Sequence, residues 1–407
     1  MRKAMSETIP AVQAPANTAY YSRPFNAFGE WHDWLAVLFA TVTAWIVGQF
    51  ALTSSFPAIL ADQNPEAAEA MGRMMYEEMQ ANPSALLLQI LGLVLGLLGM
   101  IIGTVAGLVH YLGQRDGGSK VTMVIGSLLS FVGVGMLLGS SSGSEANAVL
   151  MTVIGLSPFA YLLMLLTFPA ALAGLYFGWK LVFSRTLTAL HTAFARYSWG
   201  RTLQSFAIGW AVLGGFTFLM TQLGLADPNL VFDPARFVPF AVISLLFLPV
   251  QSATEEIVVR GFMNRGLIRF LGNKWVAFTI TSGLFMALHL ANPEARAGAE
   301  AGILPLVMSG YFFFGFAACL MVMIDDGLES AIGVHAANNT FAAIFVNYEG
   351  SVLPTPSVWQ VTPEAGSDAL STILVLAVIL GLLWVTRKPW RLRRQPPPAV
   401  APADTFA

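Results

Sequence analysis

Charge is what this chain lacks. Only 11% of its 407 residues are Asp, Glu, Lys or Arg, whereas 56% are hydrophobic, and the mean hydropathy is +0.66. A single soluble globule needs more polar surface than that. There is no basic excess either. The formal net charge is -2, which argues against a nucleic-acid partner, since that needs a basic face. Cysteine is nearly missing: Cys319 stands alone in an apolar run, so neither a disulfide framework nor a cysteine-based zinc site is available. The stretch Met1–Glu30 has no apolar core of the kind a cleavable leader carries, so the first span is expected to direct insertion.

What the chain has instead is long apolar runs. A helix needs about 20 apolar residues to span a bilayer, because nothing in hydrocarbon hydrogen-bonds a free backbone group. The candidates are Trp34–Leu52, Ala85–Leu112, Val121–Leu138, Val149–Trp179, Leu203–Leu223, Phe237–Pro249, Trp275–Leu290, Ile303–Ile324, Ala331–Val346 and Ala369–Val385. The expected fold is therefore all-α, a polytopic transmembrane helix bundle of about ten spans. Alternation from a cytoplasmic N-terminus leaves only Arg73, Arg236 and Arg296 of the 21 Lys and Arg residues outside. That bias places the N- and C-termini in the cytoplasm.

Minor features follow the same logic. Gly92, Gly96, Gly99, Gly103 and Gly107 form a small-residue ridge suited to close helix packing. Ser54–Ser84 reads as a loop with a short interfacial helix. The basic, amphipathic stretch Arg185–Arg201 is expected to lie on the inner membrane surface. His32, His110 and His191 stand at segment edges, where interfacial or solvated roles are expected. Gln395–Ala407, with its triple proline, reads as a disordered tail. The internal repeat common in transporters is absent.

Ionisable residues within apolar segments are costly and mark function by default. They gather in the second half of the chain, as Glu255, Glu256 and Arg260, then Phe285 with His289, then His335 with Asn339. Each of the pairs Glu256/Arg260, Phe285/His289 and His335/Asn339 is four residues apart and so shares a helix face, while Glu255 projects about 100° from Glu256. The bland alternative is a buried polar network that only sets helix register. Depth poses a problem. Glu255–Gly272 and Asn273–His289 are each about 25 Å as helix, which returns His289 to the level of Glu255 only if something bends. Pro249 is the expected place.

The ordered set Glu255-Glu256-x-x-x-Arg260, Phe285-x-x-x-His289 and His335-x-x-x-Asn339 resembles the three motifs of the CAAX-protease and bacteriocin-processing family. These intramembrane peptidases include Rce1-type CAAX prenyl endopeptidases and bacterial Abi proteins. The resemblance covers Phe240 to Asn347. It implies an intramembrane endopeptidase in a bacterial inner membrane, acting within the lipid bilayer on a membrane-bound or membrane-associated protein or peptide. The organisation implied is a polar segment over residues 1–33, a five-span extension over 34–235 and a catalytic core over 236–347. A loop, last span and basic juxtamembrane segment follow over 348–394, then the tail over 395–407.

Hydrolysis needs an activated water, a proton shuttle and oxyanion stabilisation. Glu255 with His289 is suited to the water, and His335 with Asn339 to the oxyanion. Glu256 is suited to an Arg260 clamp or a shared base role, and Phe285 to structural support. Glu255, His289 and His335 are also able to hold a divalent metal such as zinc, although no His-Glu-x-x-His helix is present. Two other classes use the same polar cluster: a non-catalytic membrane scaffold or immunity protein, and a proton-coupled transporter.

Overall fold

The computed structural model describes residues 20–21, 29–113, 117–139, 151–290, 292–348, 351–362 and 365–392. The expected tail and most of the N-terminal polar segment lie outside these residues. Fifteen helices are labelled here, with a helical stretch at 151–156 left unlabelled. They are α1 (Trp31–Thr53), α2 (Phe56–Gln63), α3 (Pro65–Ala81), α4 (Pro83–Leu112), α5 (Gly117–Gly139), α6 (Pro158–Phe183), α7 (Thr188–His191) and α8 (Trp199–Gln222). The second half holds α9 (Pro234–Glu256), α10 (Asn264–Leu271), α11 (Lys274–Leu288), α12 (Pro293–Glu300), α13 (Leu304–Asp325), α14 (Glu329–Ile344) and α15 (Ala365–Leu392). A π-helical turn, Ile257–Met263, joins α9 to α10 without a break.

Every one of the ten apolar segments carries helix. Among the described residues, 7 helical runs are long and apolar enough to cross a membrane, the longest being Pro234–Leu271. The chain is a polytopic helical bundle. Leu203, Phe218, Leu246 and Leu374 are exposed along its outside, as a lipid-facing surface requires. By contrast, α11 and α14 have only 15 and 16 residues, and α14 is buried along most of its length.

The N-terminal half packs as a series. The glycine ridge does what its spacing predicts: α4 and α5 approach so closely that a methyl on Gly133 would lie 2.3 Å from the Gly96 nitrogen. α4 rests on α1, α1 on α6, and α6 on α9, where Tyr161 and Ser244 share a hydrogen bond of 2.9 Å. In the second half, α14 is held between α8 and α9, and α13 between α11 and α15. Three short strands tie one end together: β1 (Asn229–Leu230), β2 (Val346–Tyr348) and β3 (Trp359–Val361), in the order β1-β3-β2. β3 pairs antiparallel with β1 and parallel with β2.

Local chemistry explains the hairpin that carries part of the site. Gly272 ends α10 at φ 66°, a conformation glycine adopts without penalty. Asn273 then caps α11 by accepting from the Trp275 and Val276 nitrogens at 2.9 and 3.3 Å.

Several sequence expectations need correction. The helix runs through Pro249, and its departure from α geometry comes at Ile257–Met263. Segment Val149–Trp179 is interrupted at Ser157, which caps α6 ahead of Pro158. The loop Ser54–Ser84 is mostly helix, as α2 and α3.

The stretch Arg185–Arg201 does not lie flat as one amphipathic helix. Beyond α7 it folds under the α13–α14 turn, with Leu328 N–H donating to the His191 carbonyl at 2.7 Å. Arg201 is fully buried. Its Nε donates to both Asp325 oxygens at 3.0 and 3.1 Å, and its Nη1 to Gln204 and Thr386 at 2.8 and 2.9 Å. A charge that composition counts as cytoplasmic surface is thus an internal latch across α8, α13 and α15.

Two of the edge histidines are buried rather than solvated, and His191 is half-buried. His32 and His110 are buried, with ring centroids 5.2 Å apart. His191 bonds to the Tyr176 hydroxyl and the Leu187 carbonyl, each at 2.8 Å, and burial holds its pKa below the ordinary histidine value.

Candidate active site

The polar residues picked out by sequence converge where α9, the π-helical turn, α11, α13 and α14 meet. Arg260 lies within the π turn. This geometry adds a residue to the helical turn and is frequent at functional sites. Arg260 still reaches back to Glu256, its Nη1 donating to Oε1 at 2.9 Å. Its Nη2 donates to the Gly315 carbonyl on α13 at 3.0 Å, and its guanidinium lies 4.9 Å from the centre of the Phe285 ring. Both Glu256 and Arg260 are fully buried. A pair so placed is tolerated only when each charge is compensated and hydrogen-bonded.

His335 completes the arrangement from α14. Its Nδ1 stands 2.8 Å from Glu256 Oε1. A carboxylate only accepts, so Nδ1 carries the proton and Nε2 of the neutral ring holds a lone pair. That Nε2 faces Glu255 Oε2 at 3.6 Å. Phe314 and Phe285 flank the imidazole, with centroids 5.0 and 6.2 Å from it. His289 is fixed by the same logic: its Nδ1 donates to the Phe285 carbonyl at 2.7 Å. Its ring stacks on Tyr311 at 4.4 Å and packs on Phe285 at 4.5 Å.

Glu255 is the only one of the two carboxylates with solvent access, its side chain being 24% exposed. Gln251 Nε2 donates to its Oε1. Gln251 in turn accepts from Asn339 Nδ2 at 2.9 Å and from Ser252 Oγ at 3.2 Å. The Asn339 amide also donates to Ser252 at 3.3 Å, so both of its hydrogens are directed at α9. Asn338 Nδ2 donates to Asn339 Oδ1 at 3.1 Å. An apolar cavity of about 300 Å³ lies beside these residues, walled by Phe314, Val334, Asn338, Phe341 and Val375.

Sequence reasoning therefore found Glu255, Glu256, Arg260, Phe285, His289, His335 and Asn339, and the structure brings all of them to one locus. It missed Gln251, Ser252, Tyr311, Phe314 and Gly315. Gln251 was within reach, since it lies four residues before Glu255 and shares its helix face. The others come from α13 or depend on tertiary contact. Among the described residues, no three His, Cys, Asp or Glu side chains are grouped closely enough to hold a metal ion. The expected donors Glu255, His289 and His335 do not close into such a set.

The stretch that carries these residues matches a known family. The family described as type II CAAX prenyl endopeptidase, Rce1-like, matches residues 235–341. The chain is also 30% identical, over 230 residues, to the uncharacterized protein YyaK of Bacillus subtilis (strain 168), an alignment covering 54% of this chain and 73% of that protein. The chain belongs to the Rce1-like family. At the family level it is an intramembrane endopeptidase of the CAAX type and an integral, multi-pass membrane protein. The Rce1-like match runs from the start of α9 into α14 and includes every polar residue of the site. No solved structure matches the chain significantly.

Proposed function

We propose that Glu255 is the general base of this Rce1-like endopeptidase, activating a water for attack on a peptide bond of a membrane-bound or membrane-associated substrate. The observation that carries this reading is the 3.6 Å gap between Glu255 Oε2 and His335 Nε2. Both atoms are acceptors when the Nδ1–H of His335 is directed at Glu256. The gap is too long for a direct hydrogen bond, and a water donating to both atoms satisfies them. Water oxygen attacks the scissile carbonyl carbon while its proton passes to Glu255. The tetrahedral intermediate collapses as the C–N bond breaks, and Glu255 returns the proton to the leaving amine.

The oxyanion needs a donor. Asn339, expected from sequence to serve here, spends both amide hydrogens on Gln251 and Ser252, so the reading gives it a positioning role, behind Gln251 and Glu255. His289, its Nδ1–H held by the Phe285 carbonyl, keeps Nε2 as an acceptor, which suits it to orient the attacking water with Glu255 rather than to donate to the oxyanion. Glu256 and Arg260 orient His335. The apolar cavity beside Phe314 and Asn338 gives the substrate's non-polar flank a place to lie. The positive-inside distribution of Lys and Arg supports cytoplasmic termini.

The test is cleavage of matched prenylated and unmodified candidate peptides by purified protein in detergent, with Glu255→Ala and His289→Ala alongside. Loss of turnover in both variants supports the assignment. Equal turnover in all three proteins sinks it.

A further inference from the structure

Two residues ahead of the first span lie against the half of the chain that holds the candidate site. Tyr20 and Tyr21 precede the first span, yet they are only 1% and 8% exposed. The Tyr21 hydroxyl donates to the carbonyl of Arg260 and accepts from Asn264 Nδ2, each at 3.4 Å. Its ring packs on Phe278 of α11 at 5.0 Å. Asn264 extends the contact by donating to Cys319 Sγ at 3.2 Å and accepting from Thr281 Oγ1 at 2.7 Å. Tyr20 sits beside it: its backbone N–H donates to Asp326 at 3.2 Å, and Arg265 lies 4.4 Å over its ring.

The first helix also packs on this turn. Trp34 stacks on Phe262 at 4.9 Å. It also lies so close to Gly266 that a methyl there would stand 2.8 Å from the indole. Phe262 and Arg260 belong to the same 7-residue π turn. Such a turn is rare, and in this one Arg260 and Phe262 are both packed on by other elements. Here part of that support comes from outside the span of the family match, from Tyr21 and Trp34.

We propose that Tyr21, with Trp34, is a positioning residue for the active site. It holds the π turn, the π turn sets Arg260, and Arg260 keeps Glu256 against His335. The inference rests on the endopeptidase reading above for its kinetic consequence only. At 3.4 Å the hydroxyl bonds are long and weak, so the buried ring carries more of the effect than the hydroxyl. Tyr21→Phe is then mild and Tyr21→Ala severe.

The experiment uses the full chain in detergent and compares wild type, Tyr21→Phe, Tyr21→Ala, Trp34→Phe and Thr43→Val. The last removes the Thr43–Thr104 hydroxyl pair, 2.7 Å between α1 and α4, remote from the π turn. Two readouts are taken: the split of kcat and KM on a cleaved peptide, and amide hydrogen exchange over residues 257–263. Tyr21→Ala lowers kcat about tenfold with KM nearly unchanged, and speeds exchange in the π turn. Tyr21→Phe keeps most of kcat, and Thr43→Val leaves both readouts at wild-type values. Should Tyr21→Ala fail to fold, Trp34→Phe takes its place, with faster exchange in the turn expected.

Unchanged exchange over 257–263 in the folded Tyr21 and Trp34 variants overturns the proposal. So does an equal kcat loss in Thr43→Val, which would mark a general stability effect. If wild type cleaves nothing, the endopeptidase reading fails while the exchange data still decide whether Tyr21 holds the turn.

Discussion

Glu256 Oε1 is shared by two partners, Arg260 Nη1 at 2.9 Å and His335 Nδ1 at 2.8 Å. One buried oxygen thus neutralises a cation and sets the tautomer of the imidazole that faces Glu255. Carboxylate-held imidazoles owe both ring orientation and basicity to such a contact.

Glu256→Gln tests this sharing. The amide keeps the volume but leaves Arg260 buried without a counter-charge, at a cost of about 3–5 kcal/mol. It also lets His335 turn or change tautomer, lowering kcat about 100-fold. Thermal unfolding in detergent gives the first number and peptide turnover the second. A stable, fully active Glu256→Gln protein would show that neither contact matters.

Asn339 and Gln251 form a chain that ends on Glu255. Asn339→Ala and Gln251→Ala are each expected to lower kcat by about tenfold, and the double variant by little more, since both loosen the same carboxylate. A double-mutant cycle on kcat checks this. Additive losses would place Asn339 on the substrate and return it to the oxyanion role.

The Arg201–Asp325 latch stands apart from the chemistry. Ser330 N–H also donates to Asp325 Oδ2, at 3.1 Å, and Arg201 Nη2 donates to the Leu383 carbonyl at 3.0 Å. Asp325→Asn should destabilise the fold by about 3–5 kcal/mol while leaving kcat per folded molecule near wild type. Denaturant titration together with active-site-normalised turnover separates the two effects.

Much of the site was legible because helical neighbours are local. Glu256 and Arg260, Phe285 and His289, and His335 and Asn339 each repeat at four residues, so one face could be read without knowing which helices touch. The π turn left no such mark. Ile257–Met263 is compositionally ordinary, and its geometry depends on Tyr21 and Trp34 packing against it from more than 200 positions away. Arg201 misled for a related reason: a lone arginine after a basic stretch reads as surface until Asp325, 124 residues on, is seen beside it.

By itself the sequence determined that this protein is a bundle of membrane helices with its costly polar residues gathered on three of them. Bilayer insertion and helical periodicity depend on local composition, and local composition is written in order along the chain. Only the tertiary structure decided that His335 pairs with Glu256, that Asn339 faces Gln251, and that Tyr21 packs against the turn that follows α9. Those pairings depend on which helices become neighbours, and long-range packing, unlike insertion, has no periodic signature in sequence.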